Sequence, residues 1–187
     1  MKCSDTQIRS IRDSKALHTV VFVIAMISFT LHGANVSAAN LGTTDYRVAT
    51  ATKKFGNTSQ FAVAFRMRPP RRLRARHVEL AVGAISTSQE TRPFVSLGPV
   101  WRLPINHRLP YVELGFSPTL LTGSSLNNRD LGGNFHFTSS ISIGATFSTR
   151  QNISLALRVQ HTSNGGLGST NPGLDMIGLN FAFNLSD

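Results

Sequence analysis

The chain has 187 residues, 41% of them hydrophobic, and a formal net charge of +10. This length is enough for one domain with its own core. The single cysteine, Cys3, lies close to the N-terminus, so neither a disulfide framework nor thiol chemistry is expected in the rest of the chain. So basic a chain suggests a nucleic-acid or a membrane partner. The export signal described next argues against nucleic acid and favours anionic lipid headgroups as the counter-charge.

Residues 1–38 contain the three parts of a secretory signal peptide. A basic stretch holds Lys2, Arg9, Arg12 and Lys15, an apolar run follows at 20–31, and small residues occupy 36–39. The alternative is a membrane anchor helix, but the apolar run is shorter than the ~20 residues that such a helix needs. We therefore expect residues 1–38 to be a cleaved signal peptide and residues 39–187 to be the exported domain.

The exported part alternates apolar residues with polar or small ones in eight segments, which predicts eight β-strands. The predicted strands are 45–52, 60–68, 77–87, 92–103, 110–121, 135–147, 153–163 and 175–185. Their length suits tilted transmembrane strands of ~9–11 residues better than the ~5–6 residues usual in soluble sheets. The predicted fold is all-β, an eight-stranded antiparallel transmembrane β-barrel of the bacterial outer membrane. A water-soluble sandwich is the alternative with the same alternation.

Charged residues fall in two places along these strands. Glu79 and Glu113 share the inward parity with five arginines, so ion pairs are expected in the lumen; the arginines are Arg66, Arg68, Arg92, Arg102 and Arg158. A second basic run, 69–76, opens with two prolines, which are kept out of sheet ladders. For this run we favour a solvated basic turn over a phosphate-binding patch.

Three polar side chains lie on the apolar parity of the last two predicted strands. They are His161 and Ser163 at the end of one strand and Asp175 at the start of the next. A hydroxyl, an imidazole and a carboxylate are the nucleophile, base and orienting acid of serine hydrolases. Pairing of the hairpin symmetrically about Gly168 would set Asp175 opposite His161. Asn164 and the amides of the following glycine turn are then candidates to hold an oxyanion.

Strand direction predicts where this cluster lies. With both ends of the barrel strands in the periplasm, odd-numbered strands run outward, and the cluster falls at the extracellular end, facing lipid. From spacing alone, a second interpretation stays open, in which His161 and Ser163 bind lipid headgroups in an interfacial belt without catalysis.

The run HTSNGGLGSTNPGLD at 161–175 resembles the signature of the outer-membrane lipid A 3-O-deacylase (PagL-type) family, which has H-x-S-N, then N-x-G and an acid. The resemblance implies an eight-stranded barrel with His161 as the base, Ser163 as the nucleophile and Asp175 as the triad acid. It also implies that Asn164 and Gly166 belong to the oxyanion hole and that Asn171 is a loop asparagine near the site. The best-known members carry Glu where this chain has Asp175.

The activity that the resemblance implies is hydrolysis of the ester-linked acyl chain at position 3 of lipid A by a serine esterase. The expected partners are lipid A or lipopolysaccharide and the outer membrane, with no nucleic acid, no cofactor and no metal; a homodimer stays open. Two alternatives remain: a phospholipid acyl hydrolase, and a non-catalytic structural or adhesion barrel.

Overall fold

The computed structural model describes residues 41–51, 57–104, 110–148 and 153–184 of the chain. The predicted signal peptide lies outside the described residues, so its cleavage stays a prediction. Within the described ranges, no helix is long and apolar enough to cross a membrane.

Ten β-strands make up the described structure, and eight of them close into one barrel with the neighbour order β1-β10-β9-β8-β5-β4-β3-β2. All barrel pairs are antiparallel. The eight predicted strands are therefore confirmed, with ends shifted by a few residues. The strands are β1 Leu41–Ala51, β2 Ser59–Met67, β3 His77–Ser86, β4 Thr91–Pro104, β5 Tyr111–Leu121, β6 Ser125–Leu126, β7 Arg129–Asp130, β8 Phe135–Ser148, β9 Ile153–Ser163 and β10 Leu174–Asn184.

The short hairpin of β6 and β7 was not predicted from the sequence. It lies in the connection from β5 to β8 and pairs Ser125 with Asp130 and Leu126 with Arg129. Its two-residue turn is Asn127-Asn128, with φ of 52° and 60°. Positive φ at both central residues is the type I′ geometry that two-residue hairpins favour, and asparagine tolerates it. The Asn-Asn pair was thus the available sequence signal.

The outward face of the barrel is apolar, as the alternation predicted. Large side chains on the outward parity are exposed on β4, β5, β8, β9 and β10; they include Leu97, Leu114, Ile141, Ile143, Leu155, Leu157, Val159, Ile177, Leu179 and Phe181. A continuous belt of this kind is the surface that a transmembrane barrel presents to hydrocarbon. A soluble sandwich would bury these side chains between two sheets.

The barrel interior holds buried ion pairs as well as an apolar cluster that includes Ile85, Leu126 and Met176. Arg47 donates to Glu79 at 2.6 Å and to Asp45 at 3.2 Å, while Arg66 Nη2 lies 2.7 Å from the Asp45 carboxylate. Arg102 donates to Glu113 at 2.6 Å. The expected pairing of lumen charges is confirmed for Arg66 and Arg102, whose guanidinium groups reach the buried acids.

Two of the expected lumen arginines, Arg68 and Arg92, lie at strand ends and do not reach Glu79 or Glu113. Arg68 comes after the end of β2 and is exposed. Arg92 lies near the start of β4 and pairs with Glu90, from the connection between β3 and β4. Parity alone predicted lumen partners for both, whereas Arg92 also donates to the Ser125 carbonyl of the β6–β7 hairpin at 3.1 Å.

Alternating strand directions place the site at one end of the barrel. The connections 87–90, 122–134 and 164–173 lie at the same end, because β3, β5 and β9 run in the same direction. The basic run 69–76 connects β2 to β3 at the opposite end. His161 and Asp175 therefore lie where the two longest connections, 122–134 and 164–173, meet.

Candidate active site

His161 and Asp175 form a direct pair on the outward face of the barrel. They are register partners of β9 and β10, and Nδ1 of the imidazole lies 2.6 Å from Oδ1 of the carboxylate. With Asp175 ionised, Nδ1 carries the proton and Nε2 is left as a lone-pair acceptor. The side chains are 50% and 44% exposed, so the pair is open to a ligand. This is the base–acid half of a serine hydrolase site.

The register of the β9–β10 hairpin brings the pair together. Thr162 pairs with Leu174 and Gln160 with Met176, so the hairpin is symmetric about Gly168, as expected. Because side chains alternate across a strand, this register puts His161 and Asp175 on the same face. A slip by one residue would move one of them into the lumen.

Ser163 lies on the same face of β9, two residues beyond His161 and at the end of the strand. Two residues of β-strand span ~7 Å at the backbone. In the described part of the chain, no hydrogen bond joins the Ser163 hydroxyl to His161. The structure therefore brings two of the three predicted catalytic residues into contact and holds the third on the same face, two residues along β9. In hydrolases without bound substrate, the hydrogen bonds between catalytic residues are often long, and they shorten when substrate binds.

Asn164 has a different environment from the one expected of an oxyanion donor. Its side chain is 1% exposed, and its Nδ2 donates to the carbonyls of Leu131 at 3.2 Å, Gly132 at 3.2 Å and Thr170 at 2.7 Å. Both amide hydrogens are therefore used inside the protein. The side chain ties the connection 122–134 to the connection 164–173. The sequence does not show that backbone carbonyls of another loop surround this side chain, and a role of Asn164 in holding an oxyanion stays a prediction.

Gly166 and Asn171, the two other loop residues predicted at the site, bind Asn164. The Gly166 N–H donates to Asn164 Oδ1 at 2.9 Å, and the Asn164 N–H donates to Asn171 Oδ1 at 3.2 Å. The backbone amides of Asn164 and Gly166 are thus engaged within the loop. These contacts hold the turn that follows Ser163 in one conformation.

Two residues that the sequence analysis did not select adjoin His161. Ser139 of β8 is the register partner of His161 on the side away from β10, and it is exposed on the outward face. Gly173, just before β10, lies so close to the imidazole that a Cβ there would be 2.7 Å from His161 Cε1. The sequence pattern does not reveal either residue. Ser139 adjoins His161 because of the β8–β9 register, and Gly173 does so because of the position of the imidazole ring.

A shallow groove on the outward face connects these residues. It has a volume of about 300 Å³ and is lined by His161, Asp175 and Ser139 together with the apolar Ile141 and Val159. This volume is at the lower end of the range of ligand pockets. An apolar floor with a base at one edge suits a hydrocarbon chain attached to a polar, hydrolysable group. Across the described ranges, no group of three or more His, Cys, Asp or Glu residues is arranged to hold a metal ion.

Comparison with known proteins identifies the family. The family model described as lipid A 3-O-deacylase (PagL) matches residues 59–184, which include the whole candidate site. The chain is 32% identical over 73 residues to the lipid A deacylase PagL of Bordetella bronchiseptica, a match that covers 39% of this chain and 40% of that protein. The match thus spans about two fifths of the length of this curated relative.

A solved structure has a similar fold. The crystal structure of the outer membrane enzyme PagL superimposes with a TM-score of 0.59 at 16% sequence identity, covering 75% of this chain and 97% of that chain. At this identity the similarity concerns the fold alone, and it agrees with the closed eight-stranded barrel described above. Because the family model covers well over half of the sequence, the chain belongs to the lipid A 3-O-deacylase (PagL) family.

Proposed function

We propose that this protein is an outer-membrane serine esterase that removes the ester-linked acyl chain at position 3 of lipid A. The observation that carries the proposal is the 2.6 Å contact between His161 Nδ1 and Asp175 Oδ1 on the outward face, within the residues that match the family. A base–acid pair on this face lies among exposed apolar side chains rather than in the lumen. Its accessible substrate is therefore a lipid.

The proposed reaction begins with Ser163. Its Oγ attacks the ester carbonyl, and the hydroxyl proton passes to His161 Nε2 while Asp175 stabilises the imidazolium. The tetrahedral intermediate collapses when the bond from the carbonyl carbon to the sugar oxygen breaks, and His161 returns the proton to that oxygen. Water, deprotonated by His161, then attacks the acyl-serine; the bond from the carbonyl carbon to Ser163 Oγ breaks, His161 returns the proton to Oγ, and the fatty acid is released. No oxidant, reductant or metal is needed to balance these steps.

The oxyanion requires hydrogen-bond donors, and the candidate N–H groups are bonded within the loop 164–173 in this structure. Asn164 follows Ser163 directly and Gly166 comes two residues later, and the N–H of each donates to a side-chain oxygen of the same loop. Under this proposal, substrate binding exchanges these two hydrogen bonds for bonds to the developing negative charge. Asn171, which accepts from the Asn164 N–H, is then the group that must move.

Lipid A is preferred over phospholipid as the substrate because of family membership, since both esters undergo the same chemistry. The exposed pair also argues against a purely structural barrel. A histidine–carboxylate pair on a lipid-facing surface desolvates two polar groups that a structural barrel has no need to place there.

The test is mass spectrometry of lipid A from cells that express the wild type, Ser163→Ala or Ser142→Ala. Ser142 is a matched control on β8, since its side chain is buried and its Oγ has no hydrogen-bond partner in the described structure. The wild type and Ser142→Ala should each remove one 3-hydroxyacyl chain, and Ser163→Ala should remove none. Unchanged lipid A with folded, membrane-inserted wild type would refute the proposal, and phospholipids would be assayed next.

A further inference from the structure

Ser139 contributes a hydroxyl group to the groove that the proposed triad does not use. It pairs with His161 across β8 and β9, and it is exposed on the outward face. Directly opposite residues of an antiparallel pair have Cβ atoms ~4.5–5.5 Å apart. No hydrogen bond of its side chain occurs within the described ranges. A hydroxyl facing lipid without a partner is unfavourable, so this one is available for a ligand.

The β8–β9 register gives the groove a direction. Starting from the loops, the successive outward-facing pairs are Ser163 with Phe137, His161 with Ser139, and Val159 with Ile141. Val159 and Ile141 belong to the exposed apolar belt, at 47% and 51% exposure. The sugar of a bound lipid therefore lies on the loop side, and its acyl chain runs from the nucleophile past Ser139 toward the belt.

We propose that Ser139 determines acyl-chain specificity by hydrogen bonding a hydroxyl at carbon 3 of the chain to be removed. This inference rests on the proposed function and adds a specificity-determining residue to the same site. Ser139 is paired with His161, which lies ~7 Å along β9 from Ser163. Carbon 3 is two bonds of ~1.5 Å from the ester carbonyl, and a hydroxyl hydrogen bond adds ~2.7 Å. The 3-hydroxyl group of the chain is thus within hydrogen-bonding reach of Ser139 while Ser163 contacts the ester carbonyl.

The physical basis of the discrimination is an unpaired polar group. When the chain has a 3-hydroxyl, both hydroxyls are satisfied in the groove. When it has none, the Ser139 hydroxyl is left against a methylene in surroundings that water leaves once the chain is bound. Sites that hydrogen bond a substrate hydroxyl reject analogues lacking it for this reason. Because the groove is open, we expect a preference of about tenfold rather than the larger factors of closed pockets.

The experiment compares two synthetic substrates in detergent micelles, an N-acylated glucosamine 1-phosphate esterified at position 3 with either 3-hydroxytetradecanoate or tetradecanoate. The ratio of kcat/KM for the two esters is measured for the wild type, Ser139→Ala, Ser139→Thr and the control Ser142→Ala. We expect a ratio of about ten for the wild type and the control, and about one for Ser139→Ala. Ser139→Thr keeps a hydroxyl and should restore most of the preference.

The other possible outcomes refute either the role of Ser139 or the proposed function. A wild type without preference, or a Ser139→Ala variant that keeps it, refutes the role of Ser139 but leaves the deacylase intact. An equal loss on both esters in Ser139→Ala also refutes it, because the residue would then act in catalysis or folding. A folded wild type that cleaves neither ester refutes both this inference and the proposed function.

Discussion

Replacement of Gly173 by alanine tests whether the position of the His161 ring limits the activity. Gly173 has a φ of +63°, which L-residues rarely adopt. A Cβ on it would lie 2.7 Å from His161 Cε1, 3.4 Å from Nε2 and 3.6 Å from Nδ1. The added methyl group therefore meets the edge of the imidazole at Cε1, the carbon between its two nitrogens. Gly173 is a positioning residue, because it acts on the substrate only through the histidine.

The expected loss of activity follows from these distances. Carbon atoms pack at ~3.5–4.0 Å, so the ring has to withdraw by about 1 Å from a contact at 2.7 Å. A displacement of about 1 Å at a catalytic group can cost ~10²-fold in rate. The left-handed backbone adds a stability cost of ~1–2 kcal/mol for alanine. We therefore expect Gly173→Ala to fold, to be slightly less stable, and to lose about a hundredfold in kcat with a smaller change in KM.

The assay is the initial rate of release of the 3-hydroxy fatty acid from lipid A in detergent micelles, with heat-dependent gel mobility as the check for a folded barrel. Gly133→Ala is the matched control. Gly133 also has a positive φ, +124°, but nothing lies within 4 Å of a Cβ there. It shares the backbone strain and lacks the contact with the ring. A folded Gly173→Ala variant with wild-type kcat would refute the reasoning, as would an equal loss of kcat in Gly133→Ala.

Three further predictions follow from the contacts described above. Asp175→Asn removes the carboxylate that fixes the His161 tautomer at 2.6 Å and should lower kcat by about 10⁴-fold, measured by the same fatty-acid release; a loss below tenfold would contradict the pairing. Asn164→Ala leaves three backbone carbonyls without their donor and should increase proteolysis of the connections 122–134 and 164–173, whereas wild-type resistance would show that the tie is dispensable. Glu79→Ala leaves Arg47 to share the Asp45 carboxylate with Arg66 in the lumen and should destabilise the barrel by about 3–5 kcal/mol in urea titrations, an effect that Ser142→Ala should not reproduce.

The strand pattern and the hairpin register could be predicted because both depend on local chemistry. A period of two places each side chain of β9 and β10 on a definite face, whatever the rest of the barrel does. The glycine- and asparagine-rich connection between these strands is centred on Gly168, and it set Asp175 opposite His161, as the structure confirms. The exposed apolar belt follows from the same period, since a narrow barrel lumen has no room for it.

The neighbours of His161 could not be predicted in the same way. Ser139 lies opposite the imidazole only because β8 and β9 pair in one particular register, and their connection contains no turn signal that fixes it. The surroundings of the Asn164 side chain could not be predicted from the sequence either. Its side chain binds the carbonyls of Leu131 and Gly132 in the connection 122–134, which lie 33 and 32 residues earlier in the sequence.

The sequence by itself therefore determined the barrel, the face on which the polar residues lie, and the pairing of His161 with Asp175. These depend on alternation and on one hairpin, which act over a few residues. The tertiary structure alone decided that Ser139 lines the groove, that Gly173 contacts the imidazole, and that Asn164 connects two loops. Those contacts join segments distant in the chain, and their distances arise only when the barrel closes and fixes every register at once.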